Sequence, residues 1–342
     1  MKYTTAWESP SNIALVKYWG KKPEGIQLPA NSSISFTLSQ CKTTTHLSFD
    51  DSKDFSVRVF LDEKEEPSFI PKIEQFLDRI KDIFPFVLQG EFGINTSNTF
   101  PHSSGIASSA SGMSALALCI CDVALSKNLL RENDFFQMAS TLSRLGSGSA
   151  SRSIYGPMGV WGNHPNFSSS NDEYAVSHDE LSAVFETYCD TILLVHKGQK
   201  SVSSTVGHDL VKNHPFSASR FKQAQHHMAE IKSVLKSGNL DEFIRIVEQE
   251  ALTLHSLMMS SNPYFLLMKP NTLKIIEAIW EKRARDNVKW CFTLDAGANV
   301  HFLYPHKDKE VATLFIEQTL KPYCENGAFI HDHVGKGPNR LQ

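Results

Sequence analysis

Fifteen residues, Asn98 to Gly112, constrain this chain more than any other stretch. They read Asn-Thr-Phe-Pro-His-Ser-Ser-Gly-Ile-Ala-Ser-Ser-Ala-Ser-Gly, with five serines, two glycines and one proline. A small, mostly apolar run follows at once, Met113-Ser-Ala-Leu-Ala-Leu-Cys-Ile-Cys121. Pro101 and Gly105 suit a tight bend, and the following run suits a helix. The pattern therefore predicts a bent loop at a helix N-terminus, where the first N–H groups lack intrahelical partners and the macrodipole favours negative charge. Ser103, Ser104, Ser108 and Ser109 add hydroxyls and unhindered amides. Such a loop is an anion site, and phosphate is the anion it fits best. A flexible Ser/Gly linker is the other reading, but linkers do not run directly into a long apolar helix.

The rest of the composition narrows the partners. With 342 residues the chain is long enough for two packed lobes. Its net charge of -3 does not suggest a nucleic-acid partner, so an anionic substrate needs a local cationic pocket. The six cysteines, Cys41, Cys119, Cys121, Cys189, Cys291 and Cys324, are scattered without zinc spacing and read as reduced core residues. The N-terminus lacks the apolar run of a signal peptide, and no stretch reaches the ~20 apolar residues of a membrane span. A cytoplasmic protein is expected.

Along the chain, residues 1–50 read as strands and turns. Thr43–Asp50 and Phe55–Leu61 both alternate and are expected to form a hairpin through Asp50–Asp54. Ile73, Phe76, Leu77, Ile80 and Phe84 follow helical spacing, with Pro71 placed to start that helix over 71–84. Glu91–Thr96 is a strand leading into the serine-rich loop, and Asp134–Arg144 is a helix. Strands are also expected at Thr191–His196, Lys289–Leu294 and His301–Tyr304. Helices are expected at Phe216–Lys236, from Asn239, at Pro270–Lys282 and at Glu310–Leu320. Gly238 is expected to cap the first of these C-terminally, and Asn239 with Glu242 resembles a capping box. A lobe boundary falls near residue 190, giving lobes 1–190 and 191–342.

Four polar clusters stand at strand–loop or loop–helix junctions: Lys17/Tyr18/Lys21, the loop 98–112, Ser147–Arg152, and Asp295. Each alone has an ordinary structural explanation: solvated strand-end lysines, a Gly-Ser turn, an Asp that forms a turn. Together they are what phosphoryl transfer to an anionic substrate requires: anion sites, cations and a carboxylate. The histidines have structural readings. His331-Asp-His333 lacks a third ligand at metal spacing and reads as polar strand residues. His226 and His227 read as an exposed helix face, and His255 as packing in the cleft.

Pro101-His-Ser-Ser-Gly-Ile-Ala-Ser-Ser-Ala110 resembles the phosphate-binding motif of the galactokinase, homoserine kinase, mevalonate kinase and phosphomevalonate kinase superfamily. Ser11-Asn-Ile-Ala-Leu-Val-Lys-Tyr-Trp-Gly-Lys21, Gly146-Ser-Gly-Ser-Ala-Ser-Arg152, Val202-Ser-Ser-Thr205 and Phe292-Thr-Leu-Asp-Ala-Gly297 resemble signatures of its diphosphomevalonate decarboxylase family. The resemblance implies an α+β, two-lobed small-molecule-kinase fold, with a ribosomal-protein-S5-like N-terminal lobe, a ferredoxin-like C-terminal lobe and one deep cleft between them. It implies ATP and Mg²⁺ as cofactors, a homodimer, and conversion of 5-diphosphomevalonate to isopentenyl diphosphate. In that reaction the 3-hydroxyl is phosphorylated, and phosphate and CO2 are then lost.

By the same resemblance Asp295 accepts or orients the hydroxyl proton, Lys17 sits beside it, and Arg152 holds the substrate carboxylate. Tyr18, Lys21, Ser147, Ser149 and Ser204 hold the diphosphate. Ser103, Ser104, Gly105, Ala107, Ser108 and Ser109 cradle the ATP phosphates, and Lys200 reaches the nucleotide. No side chain is expected as a dedicated metal ligand. Two positions depart from the pattern. Ala298 stands where many members have proline, and Thr205 where some bacterial members have a diphosphate-binding arginine. Lys72, in the first turn of an early helix, is the candidate for that missing charge, with a solvated lysine as the equal alternative. Other readings are a decarboxylase of the monophosphate, a mevalonate-type kinase that stops at the phosphorylated alcohol, and a nucleotide-binding regulator without turnover. Lys17 and Asp295 together disfavour the last.

Overall fold

The alternation over the first fifty residues becomes two long strands, β1 (Lys2–Val16) and β2 (Ser33–Asp50), paired antiparallel. The computed structural model describes residues 1–101, 106–198 and 204–341, with the side chains of residues 204 and 205 outside that description. Next come β3 (Ser56–Leu61), β4 (Lys64–Glu65), α1 (Ile70–Ile80), β5 (Glu91–Asn98), α2 (Ser108–Ser126), α3 (Phe135–Gly146), β6 (Met158–Trp161) and β7 (Val176–Ser177). The later half holds α4 (Ala183–Glu186), β8 (Cys189–Leu193), α5 (Ser204–Val211), α6 (Ser217–Ser237), α7 (Leu240–Met259) and α8 (Pro270–Asp286). It ends with β9 (Cys291–Thr293), β10 (Val300–Tyr304), α9 (Lys309–Phe315), β11 (Phe329–His333) and β12 (Asn339–Leu341).

Among the described residues the strands form one sheet of eight and one of four, and the class is α+β with two lobes. The large sheet runs β12-β1-β2-β5-β3-β4, with β6 joined to β2 and β7 to β6. The small sheet runs β11-β8-β10-β9. The expected hairpin between β2 and β3 does not form. β5 lies between them, antiparallel to β2 and parallel to β3. Alternation shows which face of a strand is buried, but not which strand lies beside it.

Helix α1 turns Ile73, Phe76, Leu77 and Ile80 inward. Helix α2 is apolar on nearly every side and packs against β1, β2 and α3. By length and composition it could cross a membrane, but 78% of its apolar window is buried inside this fold. Its one charge, Asp122, accepts from Trp7 Nε1 at 2.7 Å and pairs with Arg340 of β12 at 2.9 Å. The last strand thus returns to β1 and is tied to the central helix.

The two sheets are joined at a break in the β1–β2 register. Pro10 pairs with Lys42 and Asn12 with Thr37, so residues 38–41 of β2 are looped out of the pairing. The Asp332 carboxylate, on β11 of the small sheet, accepts from the main-chain N–H groups of Ser39, Gln40 and Cys41, each at 2.8 Å. The Asp between His331 and His333 is therefore a structural anchor. Among the described residues no group of three or more His, Cys, Asp or Glu side chains could hold a metal. Beside this joint a shared core, including Phe36, Phe185, Tyr188 and Phe243, fills the space between the halves. All six cysteines are buried and unpaired.

Asp332→Ala removes a charged acceptor from three amides at once. The expected loss is about 2–3 kcal/mol, because hydrogen bonds to charged groups are the stronger class and water reaches Ser39 and Gln40 in compensation. Urea unfolding of the variant against wild type checks this, and an unchanged midpoint would show that the bulge does not join the sheets.

Candidate active site

The apolar run Ile13–Val16 holds the end of β1 in the core, and the chain leaves the sheet at Lys17 with its side chain buried. Gly20 has φ +101°, and a Cβ there would lie 2.7 Å from the Phe221 ring. The sharp exit of the chain thus depends on glycine. Its consequence is a cleft of about 140 Å³ lined by Lys17, Tyr18, Lys21, Ser147, Ser149, Arg152 and Asp295, together with Ala107 and Ser109 from the start of α2. Residues from four distant stretches meet there.

Lys17 Nζ lies 3.1 Å from Asp295 Oδ1. The lysine is 2% exposed and the carboxylate 27%. Burial pulls the Lys17 ammonium below its ordinary range, against the opposing pull of Asp295 and Glu250, and Arg152 adds to the lowering. Asp295 itself sits in a tight turn after β9. Gly297 N–H donates to its carbonyl at 2.7 Å, and His255 Nε2 approaches that carbonyl at 3.0 Å.

Arg152 rides on a short 3₁₀ turn, Gly148–Ile154, that follows α3. Its Nε donates to Ser35 Oγ at 3.0 Å, its Nη1 to Ser33 Oγ at 2.7 Å, and its Nη2 to Asn12 Oδ1 at 3.2 Å. Three of the five guanidinium N–H groups are used this way, all on neutral oxygens. Among the described residues it forms no salt bridge. Burial pulls its pKa down to about 10, with Asp295 and Tyr18 opposing. A buried cation seated on neutral dipoles is costly unless an anion arrives to pair with it.

Two more groups in the cleft lack partners. Among the described residues Tyr18 Oη and Gln27 Oε1 are buried without a hydrogen-bond partner. The Tyr18 ring is held against Trp161 and His208, with centroids at 4.6 and 4.3 Å. A Cβ on Gly148 would come within 2.9 Å of the phenolic oxygen. His208 Nδ1 accepts from Gly20 N–H at 2.9 Å, and burial pushes its pKa down to about 3, so it is a neutral wall. Burial also lowers Lys21, with Asp209 opposing. Three cations against one carboxylate make the cleft a receptor for anions.

A second cavity, of about 240 Å³, opens on the other side of Ser109. Val59, Leu61, Phe69, Ile73, Met113 and Leu116 give it an apolar wall, and Thr96, Asn98 and Lys72 give it polar groups. A Cβ on Gly112, in its wall, would meet nothing within 4 Å. Ala107, the residue before α2, is left-handed at φ 44° and turns the chain into the helix. Ser108 lines this second cavity, while Ser109 lines both.

The structure thus gathers Lys17, Tyr18, Lys21, Ser147, Ser149, Arg152, Asp295, Ala107 and Ser109 at one cleft. Lys72 is sent elsewhere. It lies in the first turn of α1 and lines the second cavity, while Tyr18 and Lys21 line the cleft. Ser103, Ser104, Gly105, Lys200 and the Ser204 side chain lie outside the described residues.

Sequence reasoning missed Asn12, Ser33 and Ser35, the seat of Arg152, and it misplaced His227. His226 is exposed, but His227 shares the inward face of α6 with Ala224, Met228 and Ile231 and bonds Glu250. Residues adjacent on a helix point about 100° apart, so the pair could not share one face. Glu250 was also missed, although it stands within the apolar stripe Phe243, Val247, Ala251 and Leu254 of α7. A carboxylate on a buried stripe is a signal the sequence does carry.

Comparison with known proteins bears on the family and the fold. A family model described as the diphosphomevalonate decarboxylase-like N-terminal domain matches residues 9–174. One described as the mevalonate 5-diphosphate decarboxylase C-terminal domain matches residues 191–340. The diphosphomevalonate decarboxylase of Bos taurus is 30% identical over 322 residues, covering 85% of this chain and 74% of that protein. The chain belongs to the diphosphomevalonate decarboxylase family. Its fold matches the mevalonate diphosphate decarboxylase of Staphylococcus aureus at a TM-score of 0.85 and 27% identity, over 100% of this chain and 99% of that one. It matches MDDEF in complex with MVAPP, AMPPCP and magnesium at a TM-score of 0.86 and 26% identity, over the whole of both chains.

Tyr18→Phe tests the reading of the cleft as a site that awaits an anion. Deleting a buried hydroxyl that lacks a partner is expected to raise the stability of the free protein by about 1 kcal/mol and to weaken anion binding about tenfold. Thermal unfolding and calorimetric titration measure the two effects, and a less stable variant with unchanged binding contradicts it.

Proposed function

We propose that this protein decarboxylates 5-diphosphomevalonate with ATP, giving isopentenyl diphosphate, ADP, phosphate and CO2. The observation that carries the reading is the meeting of Lys17, Arg152 and Asp295 in one anion-seeking cleft at the start of α2, in a member of this family. In this proposal Asp295 accepts or orients the proton of the 3-hydroxyl as that oxygen attacks the γ-phosphate. The Lys17 ammonium keeps Asp295 ionised and offsets charge on the transferring phosphoryl group. Arg152 turns its uncommitted N–H groups to the substrate carboxylate. Its seat on neutral oxygens holds it without a competing counter-ion. Loss of the 3-phosphate builds positive charge at C3, and the carboxylate then fragments to CO2 and the alkene. Tyr18, Lys21, Ser147 and Ser149 bind the diphosphate, and by resemblance Ser204 joins them.

The second cavity supports a place for the nucleotide. Its apolar wall suits a base, and Ser109 stands between it and the cleft, so a nucleotide lying there presents its terminal phosphate to Asp295. Lys72 belongs in this proposal with the nucleotide rather than with the substrate. Ser103, Ser104, Gly105 and Lys200 are assigned to the phosphates by resemblance. The related structure holding AMPPCP and magnesium supports ATP with Mg²⁺ as the cofactor pair. Magnesium seeks oxygen ligands, which the nucleotide phosphates and the Ser108 and Ser109 hydroxyls offer, and bound there it would neutralise phosphate charge.

We read residues 1–190 as the nucleotide-binding lobe and 191–342 as the lobe bringing Asp295, a division supported by the two family models parting between 174 and 191. Six unpaired cysteines support a reducing, cytoplasmic setting. A homodimer is proposed on the family resemblance alone.

Incubation with ATP, Mg²⁺ and diphosphomevalonate is expected to release ADP and CO2 in equal amounts. ADP without CO2 would make the protein a kinase, and neither product with ATP still bound would make it a regulator. Asp295→Asn is expected to keep ATP binding and lose at least ~10²-fold in turnover. Gly112→Leu, which fills the second cavity, is expected to raise the KM for ATP about tenfold or more and leave that for diphosphomevalonate unchanged. The reverse pattern would move the base out of that cavity.

A further inference from the structure

Behind Lys17 lies a buried ionic cluster that the proposed mechanism does not use. Glu250 of α7 is fully buried. Arg220 of α6 grips both of its oxygens, at 2.9 and 2.5 Å, and His227 Nδ1 lies 2.6 Å from Oε1. The carboxylate also accepts the main-chain N–H of Lys17 at 2.8 Å. The carbonyl of Lys17 is held as well, by Asn31 Nδ2 at 3.0 Å and by Arg220 Nη2 at 3.4 Å. Both main-chain groups of the lysine that faces Asp295 are thus fixed by side chains rather than by a neighbouring strand. Two helices of the later half set the place of a residue on the first strand.

We propose that Glu250, clamped by Arg220 and His227, is a positioning residue for the reaction, which holds Lys17 against Asp295 and keeps its side chain an ammonium. This rests on the functional reading above. Burial opposes a charge on Glu250, but Arg220, His227 and the Lys17 amide outweigh it and hold the carboxyl below its ordinary range. The geometry therefore favours the carboxylate form of Glu250 behind Lys17, with Arg220 as its counter-charge. The charged groups that bear on the Lys17 side chain are Asp295, Glu250 and Arg152. Asp295 loses its anionic character whenever it shares or takes the substrate's proton. At that point Glu250 is the protein carboxylate left to favour the ammonium, beside the anionic groups of the substrates, against burial and against Arg152. A buried lysine without such support gives up its proton at lower pH.

The test compares wild type, E250Q, E250D and the double variant E250Q/R220M, which removes both charges of the pair so that Arg220 is not left buried without its counter-charge. Steady-state kinetics with ATP, Mg²⁺ and diphosphomevalonate are measured across pH, with thermal unfolding alongside. E250Q and E250Q/R220M are expected to lose about tenfold or more in kcat. Their KM values should stay within about threefold, and the alkaline limb of kcat should move to lower pH. E250D, which keeps the charge but moves it, is expected to lose kcat with its alkaline limb in place. A folded charge-removing variant with lower thermal stability but wild-type kcat and alkaline limb overturns the proposal. Wild-type turnover in the same assay tests the functional reading separately. The 15N NMR titration of Lys17 Nζ, assigned by its loss in K17R, makes the same comparison without turnover. An unmoved titration in E250Q/R220M also overturns the proposal.

Discussion

The contact between Lys17 and Asp295 joins the end of the first strand to a turn 278 residues later, at 3.1 Å. It needs the lysine buried, and an ammonium leaves water at a cost of several kcal/mol unless close partners repay it. Much of the surrounding architecture supplies that repayment. Gly20 turns the chain away, the Glu250 cluster fixes the Lys17 main chain, and the Asp295 turn is held from His255. Arg152 then adds a second buried cation on neutral oxygens, without an anion of its own among the described residues. The cleft is thus left electrically incomplete, and an anionic substrate is what completes it.

The same fold treats polar groups in two ways. Two buried structural carboxylates are closely engaged: Asp332 takes three amides, and Asp122 takes an indole and a guanidinium. Where the cleft opens, Tyr18 Oη and Gln27 Oε1 are left without partners among the described residues. Such local inconsistency is what a binding site costs a protein, because a group already satisfied cannot also bind a ligand. Not every orphan belongs to this pattern. Tyr188 Oη and Thr293 Oγ1 are also unpartnered, and nothing in the cleft accounts for them.

Local signals in the chain were read with little loss. The Ile73, Phe76, Leu77 and Ile80 stripe of α1, the left-handed Gly238 cap of α6 and the Asn239 side chain accepting from Glu242 N–H at the start of α7 appear as their spacing predicts, although α1 ends at Ile80 and leaves Phe84 beyond it. Each depends on neighbours within one or two turns. Readings that needed distant neighbours fared less well. Alternation in β2 and β3 suggested a hairpin, but β5 enters between them from thirty residues further on. His227 read as exposed beside His226 until a carboxylate on another helix claimed it. Lys72 could be read as a diphosphate ligand or a solvated lysine with equal reason, and its place in the wall of the second cavity comes from the packing of α1.

By itself the sequence determined the chemistry on offer: a serine-rich loop ahead of a helix, three cations, a carboxylate, and motifs dense enough to identify the family. These lie in contiguous runs, where spacing and backbone preference carry the information. Only the tertiary structure decided that Lys17, Arg152 and Asp295 share one cleft, that Lys72 does not, and that Glu250 stands behind the lysine. Convergence of that kind arises from sheet order and helix packing. Those are set by which buried faces fit together, and no local window of the chain contains that information.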